Sequence, residues 1–183
     1  MAIKPTIFKF KISVSDLNRD YYEQLDLTLA RHPSETNERM MTRVMAFCLN
    51  AQEFLSFTKG LSAVEEPDIW SKNLSDELLL WIDVGEPAFE RIKKATRLAK
   101  HTRVYSFNSK SDAWWRQEGP QLSKLDAQFF QFPWEQIQQL SSLVERTMDI
   151  SVTITGDSAY VAANKGEVEL SWQALQPEGS FNK

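Results

Sequence analysis

At 183 residues, with a formal net charge of −4 and a pI of about 5.3, the chain carries no overall positive field that would draw it onto nucleic acid or an anionic membrane. Its 42% hydrophobic and 11% aromatic content supports one ordinary core, and no low-complexity run or repeat suggests a solenoid or a long tail. A single cysteine, Cys48, excludes an intramolecular disulfide, and with only His32 and His101 beside it a structural zinc site is not expected.

No apolar run is long enough to cross a bilayer, and no charged segment leading into an apolar one opens the chain. The expectation is a cytoplasmic protein with no membrane contact. It forms one domain over residues 1–175, followed by a loose tail, QPEGSFNK, over residues 176–183.

In TIFKFKISVSD, Phe8, Phe10, Ile12 and Val14 alternate with Lys9, Lys11 and Ser13, the period of a strand with one wet face. SDLNRD supplies a turn, and Leu25, Leu27 and Leu29 alternate in a second strand, which predicts an N-terminal hairpin. From Ser34 the spacing of Met40, Met41, Val44, Met45, Phe47, Cys48 and Ala51 predicts a helix, with Ser34 as its N-cap and Glu35 and Glu38 near the positive end of the dipole. Cys48 and the three methionines of this stripe read as core packing.

Three short strands follow in EFLSFT, around DIW and in LLLWIDV, with KGLS as the turn between the first two. Pro87 opens a helix over EPAFERIKKATRLAK, whose stripe is Ala88, Ile92, Ala95 and Ala99. Next come a strand, TRVYSF, and a helix in NSKSDAWWRQ capped by Asn108 or Ser109. After a strand in AQFFQF and a helix in PWEQIQQLSSLVER, the segments DISVTIT, SAYVAA and EVELSW form an antiparallel meander. Meander and crossover together predict an α/β domain with one mixed sheet and flanking helices. The helix after Pro87 would carry TRVYSF parallel to LLLWIDV.

One residue stands out in that strand. Alternation places Asp83 on the same face as Trp81, and antiparallel pairing brings Asp68, just after Pro67, beside it. Two carboxylates on neighbouring strands suit a hard divalent cation such as Mg²⁺ or Mn²⁺. Glu38 lies on the flank of its helix's apolar stripe and reaches the rim of the same site. Lys93 lies about 9 Å along its helix from Pro87 and about 100° from the stripe centred on Ile92, and Lys94 points away. Lys93 is therefore the candidate cation and Lys94 the second choice. The plain readings are a solvated RIKK face with Glu90 paired to Lys94, a turn at Pro67 and Asp68, His32 in a surface loop, and core roles for Trp114, Trp115, Phe129 and Phe130.

The order αβββαβ, the Pro-Asp pair and the Asp-x-Gly of the third strand resemble the PD-(D/E)xK nuclease fold, with Gly85 standing where that motif has lysine. More closely, LTLARHPSETNERMMTR, EEPDIW, WIDVGEP, RIKKA, YSFNSK with its following WW, and RTMDISVTI are similar to the YaeQ family of small bacterial proteins, over Met1 to about Trp172. The resemblance implies a nuclease-like αβββαβ core. Glu38 matches its first-helix acid, Asp68 the acid after proline and Asp83 the acid of the third strand, with the lysine moved to the next helix. It implies metal-assisted phosphodiester hydrolysis of nucleic acid. Asp68 and Asp83 would hold the cation, Glu38 a water or second ion, Lys93 the nucleophile, and Arg31 and Asn108 the substrate. The alternative is a non-catalytic interaction or regulatory protein on the same fold. The acidic pI favours this alternative, since nucleases ordinarily carry surplus Lys and Arg, whereas the retained set of acids favours the nuclease.

Overall fold

The first hairpin forms as its alternation requires. In the computed structural model, which describes residues 4–176, β1 (Thr6–Asp16) and β2 (Tyr21–Arg31) pair antiparallel along their whole length, with Phe8, Phe10, Ile12 and Val14 buried and Lys9, Lys11 and Ser13 exposed on the other face. Asp16 closes the turn by accepting from the backbone N–H groups of Asn18 and Arg19.

The chain then enters α1 (Asn37–Leu49), whose buried side is the expected stripe, Cys48 included. The cap is Thr36 and not Ser34: Thr36 Oγ1 accepts from Arg39 N at 3.1 Å, and Ser34 sits in the preceding turn against His32 Nδ1. After α1 come β3 (Leu55–Phe57), a single 3₁₀ turn over Gly60–Ser62 where KGLS was expected to be a simple turn, β4 (Ile69–Lys72) and β5 (Leu78–Val84). Helix α2 (Phe89–Leu98) starts two residues beyond Pro87 and carries β5 over to β6 (His101–Ser106), which pairs parallel to β5 as predicted. Helix α3 (Ser111–Leu122), β7 (Gln128–Gln131), α4 (Trp134–Ser141) and the meander β8 (Thr147–Thr155), β9 (Ser158–Ala163) and β10 (Gly166–Ser171) complete the expected elements. Neither Asn108 nor Ser109 is the N-cap residue of α3; that place is Lys110, without a side-chain capping bond.

The single mixed sheet expected from the sequence is two. One has the order β10-β9-β8-β1-β2, because β8 pairs parallel to β1 and joins the meander to the hairpin. The other has the order β11-β7-β6-β5-β4-β3, with a short strand β11 (Gln173–Ala174) that the sequence pattern did not reveal. Helices α1 and α4 share one large core with the buried faces of both sheets, and α2 and α3 cover the far face of the six-stranded sheet through Ile92, Val104, Leu122, Ala127 and Phe129. Gln176, assigned to the loose tail, is buried. Its carboxamide accepts from Phe129 N and donates to Ala127 O, while the rest of that tail lies outside the described residues.

No described helix is long and apolar enough to cross a membrane.

Candidate functional site: an acid pair closed by arginines

The β4–β5 register sets Ile69 opposite Ile82, and Asp68 N donates to Ile82 O at 3.1 Å, so Asp68 and Asp83 come side by side at the carboxyl end of β5. Both are buried, at 4% and 2% exposure, and both line a cavity of about 400 Å³ between that strand end, the 3₁₀ turn and α2. The predicted juxtaposition of the two acids is therefore present.

The groups that meet them are not the predicted ones. Arg91, from the first turn of α2, forks onto Asp83, with Nε donating to Oδ2 at 2.8 Å and Nη2 to Oδ1 at 3.1 Å. Its remaining donors hold the carbonyls of Val64 and Glu66, tying the loop after the 3₁₀ turn to α2. Asp68 accepts from Arg39 Nη2 at 2.8 and 3.0 Å on its two oxygens and from Val84 N at 2.8 Å. Arg39 also pairs with Glu35 at 2.6 Å, and Glu35 in turn takes Arg43 on both of its oxygens. Arg43, Glu35, Arg39 and Asp68 thus form one chain of ion pairs beneath α1, and the separate Arg91–Asp83 pair stands beside its end at the cavity wall.

Burial dominates the electrostatics of Asp83 and pushes its pKa up. Arg91 opposes the rise, the neighbouring Asp68 adds to it, and the Trp81 indole N–H helps to hold the charge, although it makes no hydrogen bond of normal geometry. Burial works against the Arg91 charge, but Asp83 and Asp68 together outweigh it, so its own pKa is raised as well. Elsewhere, burial alone pushes the Cys48 thiol up to about 12, in keeping with a core role.

The other predicted residues stand apart from the acid pair. Glu38 faces α4, where Ser141 Oγ donates to its Oε1 at 3.4 Å. Lys93 lies along its own helix, 5.9 Å from the centre of the Phe89 ring, and Lys94 pairs with Glu65 on the surface instead of with Glu90. Arg31 donates to Asn37 and stacks over Phe8, away from the cavity. Asn108 does line the cavity, but its side-chain amide donates to Glu86 at 2.6 Å. Glu86, which sequence reasoning passed over, is held by four donors: the amides of Phe107 and Asn108, the Ser111 hydroxyl and the Asn108 side chain.

Gly85 has φ +117°, a conformation that only glycine adopts without strain, and a Cβ there would meet nothing within 4 Å. Its glycine serves the backbone turn; the expected ammonium group does not arrive there.

A divalent cation needs free carboxylate oxygens, and here guanidinium N–H groups occupy both oxygens of each acid. Among the described residues no three His, Cys, Asp or Glu side chains gather as a metal-ligating group. As arranged, these side chains do not fit Mg²⁺ or Mn²⁺.

The Arg39 and Arg91 positions had a signal that could be read two ways. Arg91 and Lys93 lie about 100° to either side of Ile92, so spacing alone allows either flank to face the acids. The crossover turns the Arg91 flank toward β5 and the loop that leads into β4.

Fold and site together define a class, an α/β protein with two mixed sheets whose buried acid pair is closed by arginines. The family model described as YaeQ protein matches residues 1–172. The chain is 38% identical over 178 residues to an uncharacterized protein YaeQ of Salmonella typhi, covering 96% of this chain and 98% of that one. It is also 38% identical over 180 residues to its counterpart in Escherichia coli K12, with the same coverage. Crystal structures of YaeQ proteins superpose on it closely. That from Xanthomonas axonopodis pv. citri gives a TM-score of 0.91 at 32% identity, covering 94% of this chain and 98% of that one. That from Pseudomonas syringae gives 0.90 at 33%, covering 95% and 97%. The chain belongs to the YaeQ family.

Proposed function

We infer that this protein is a non-catalytic binding protein on a PD-(D/E)xK nuclease-like core, an interaction or regulatory protein that keeps the acid pair of such a core without its metal chemistry. The observation that carries this reading is the double arginine closure: Arg39 on Asp68 and Arg91 on Asp83 fill the positions where a cation would sit. The order α1-β3-β4-β5-α2-β6 supports the nuclease-like core, and the net charge of −4 supports a partner other than a bare phosphate backbone. Apolar side chains of Leu61, Val64, Pro87 and Phe107 line the cavity in front of the ion pairs and offer contact area to a bound group.

One observation favours a second reading, a divalent-metal-dependent phosphodiesterase acting on nucleic acid. Asp68 and Asp83 repel one another inside the protein, an arrangement that a cation would relieve. That reading requires Arg39 and Arg91 to leave the acids to Mg²⁺ or Mn²⁺, and Lys93 or Lys94 to enter the cavity.

A metal titration separates the two. Melting is followed as Mg²⁺ or Mn²⁺ is raised into the millimolar range, with DNA and RNA, single- and double-stranded, incubated in parallel. The binding reading expects the same small response from wild type and Asp83→Asn, and no metal-dependent cleavage product. A saturable stabilisation or a cleavage activity that Asp83→Asn abolishes overturns it.

A further inference from the structure

The acid pair is not at the position where an open α/β sheet ordinarily places a ligand. In such sheets ligands sit outside the carboxyl ends of the strands, where the connections from two adjacent parallel strands leave toward opposite faces. Strands β5 and β6 both lead to helices on the same face, since α2 and α3 share the smaller core. Strands β6 and β7 do not. They are parallel neighbours, and β6 leads to α3 on that face, whereas β7 leads to α4, whose Ile137 and Leu140 pack into the larger core on the other. The switch point of this sheet is therefore the crevice between β6 and β7.

A cavity of about 640 Å³, within the usual range for small-molecule sites, opens there. Its walls are Trp134 at the start of α4 and Trp172 just before β11, with Asp112, Glu135, Gln131 and Gln173. Both indoles pack on core aromatics, Trp134 tilted against Phe107 at 6.2 Å between ring centres and Trp172 in a T-shaped pair with Phe132 at 6.0 Å. Neither indole N–H has a protein partner among the described residues. Gln131 Nε2 donates to Asp112 Oδ1 at 2.9 Å, which fixes a carboxamide and a carboxylate side by side. Among the described residues, no lysine, arginine or histidine lines the cavity.

We propose that this crevice is a binding site for a neutral saccharide of one or two rings. Flat indole faces accept the C–H face of a sugar ring, and planar carboxylates and carboxamides match pairs of neighbouring hydroxyls, which serve as both donor and acceptor. Asp112 and Glu135 face the cavity in a described lining without a basic side chain and disfavour a phosphate or carboxylate group, so the sugar is uncharged. The site is separate from the acid pair apart from its border at Asn108, which lines both cavities. It stands whichever reading of Asp68 and Asp83 holds.

The test uses the full chain. Saturation-transfer NMR and tryptophan fluorescence are recorded with glucose, galactose, mannose and N-acetylglucosamine and their common disaccharides, with glucose 6-phosphate as the charged probe and butylamine as the cationic one. The expected result is saturable binding of at least one neutral sugar, stronger than that of glucose 6-phosphate. It weakens about tenfold in Trp172→Ala and in the exposed-site variant Gln173→Ala, and is unchanged in Asp83→Asn. Unchanged melting of Gln173→Ala shows that its loss of binding is not a loss of fold. The proposal is overturned by three outcomes: no neutral sugar in the panel binds, butylamine or glucose 6-phosphate binds better, or binding survives both substitutions.

Discussion

Asp83 shows what a buried carboxylate costs when its partner is only half-buried. Its folded pKa is raised, so the protonated form favours the fold: the stabilising contribution is present below the unfolded pKa, near 3.9, and is lost as pH rises through the folded value. At neutral pH the charged group takes more from burial than Arg91 returns. Asp83→Asn, neutral at every pH and still able to accept from Arg91, removes that dependence. Denaturant unfolding is expected to show wild type gaining on the variant as pH falls from 7 toward 4; a gap that moves the opposite way contradicts the assignment. Glu35 sits between two arginines. Buried at 6% exposure, it neutralises Arg43, itself 3% exposed, and shares Arg39. Glu35→Ala strands a buried guanidinium and is expected to lose about 3–5 kcal/mol in the same measurement, where a surface acid would lose under about 1 kcal/mol.

At the level of elements, the sequence was most legible where periodicity had one meaning. The alternation of Phe8 to Val14 and the stripe from Met40 to Cys48 became β1 and α1 because each is an amphipathic face with a single way to be buried. It was least legible at helix flanks and caps. Glu38 and Arg39 are adjacent on α1, and only the packing of α4 against α1 decides that Glu38 faces Ser141 while Arg39 reaches Asp68. The same ambiguity about Ile92 exchanged Lys93 for Arg91. Helix α3 adds a constraint with no signature of its own: a Cβ on Gly119 would come within 2.9 Å of the Trp115 indole, which is itself packed on Phe129 with ring centres 5.1 Å apart. Gly119→Ala gains helix propensity of about 1 kcal/mol, but displacing that ring costs about 1–3 kcal/mol. The variant is expected to melt lower than wild type; a higher melting temperature would mean that the indole moves freely.

Across the whole molecule, long-range pairing was the hidden quantity. Each strand was visible locally, yet nothing in TMDISVTIT announces that it lies parallel to β1, and that one pairing divides the expected single sheet into two. The acid pair survived this change because β4 and β5 are sequence neighbours joined antiparallel, where register follows from the chain itself. Since β1 and β8 bind the two ends of the chain into one sheet, and α1 and α4 share a core with both sheets, the protein is expected to unfold in one transition. Far-ultraviolet and near-ultraviolet circular dichroism should give coincident melts, and two separated transitions would show that the sheets are independent units.

Arginine side chains hold Asp68 and Asp83, and crystals soaked in Mn²⁺ and measured for anomalous scattering show whether a metal ion can take their place. The arrangement predicts no manganese peak beside the two carboxylates, with Arg91 still forked onto Asp83 and Arg39 on Asp68. A peak bridging both acids, with the guanidinium groups displaced, would contradict it.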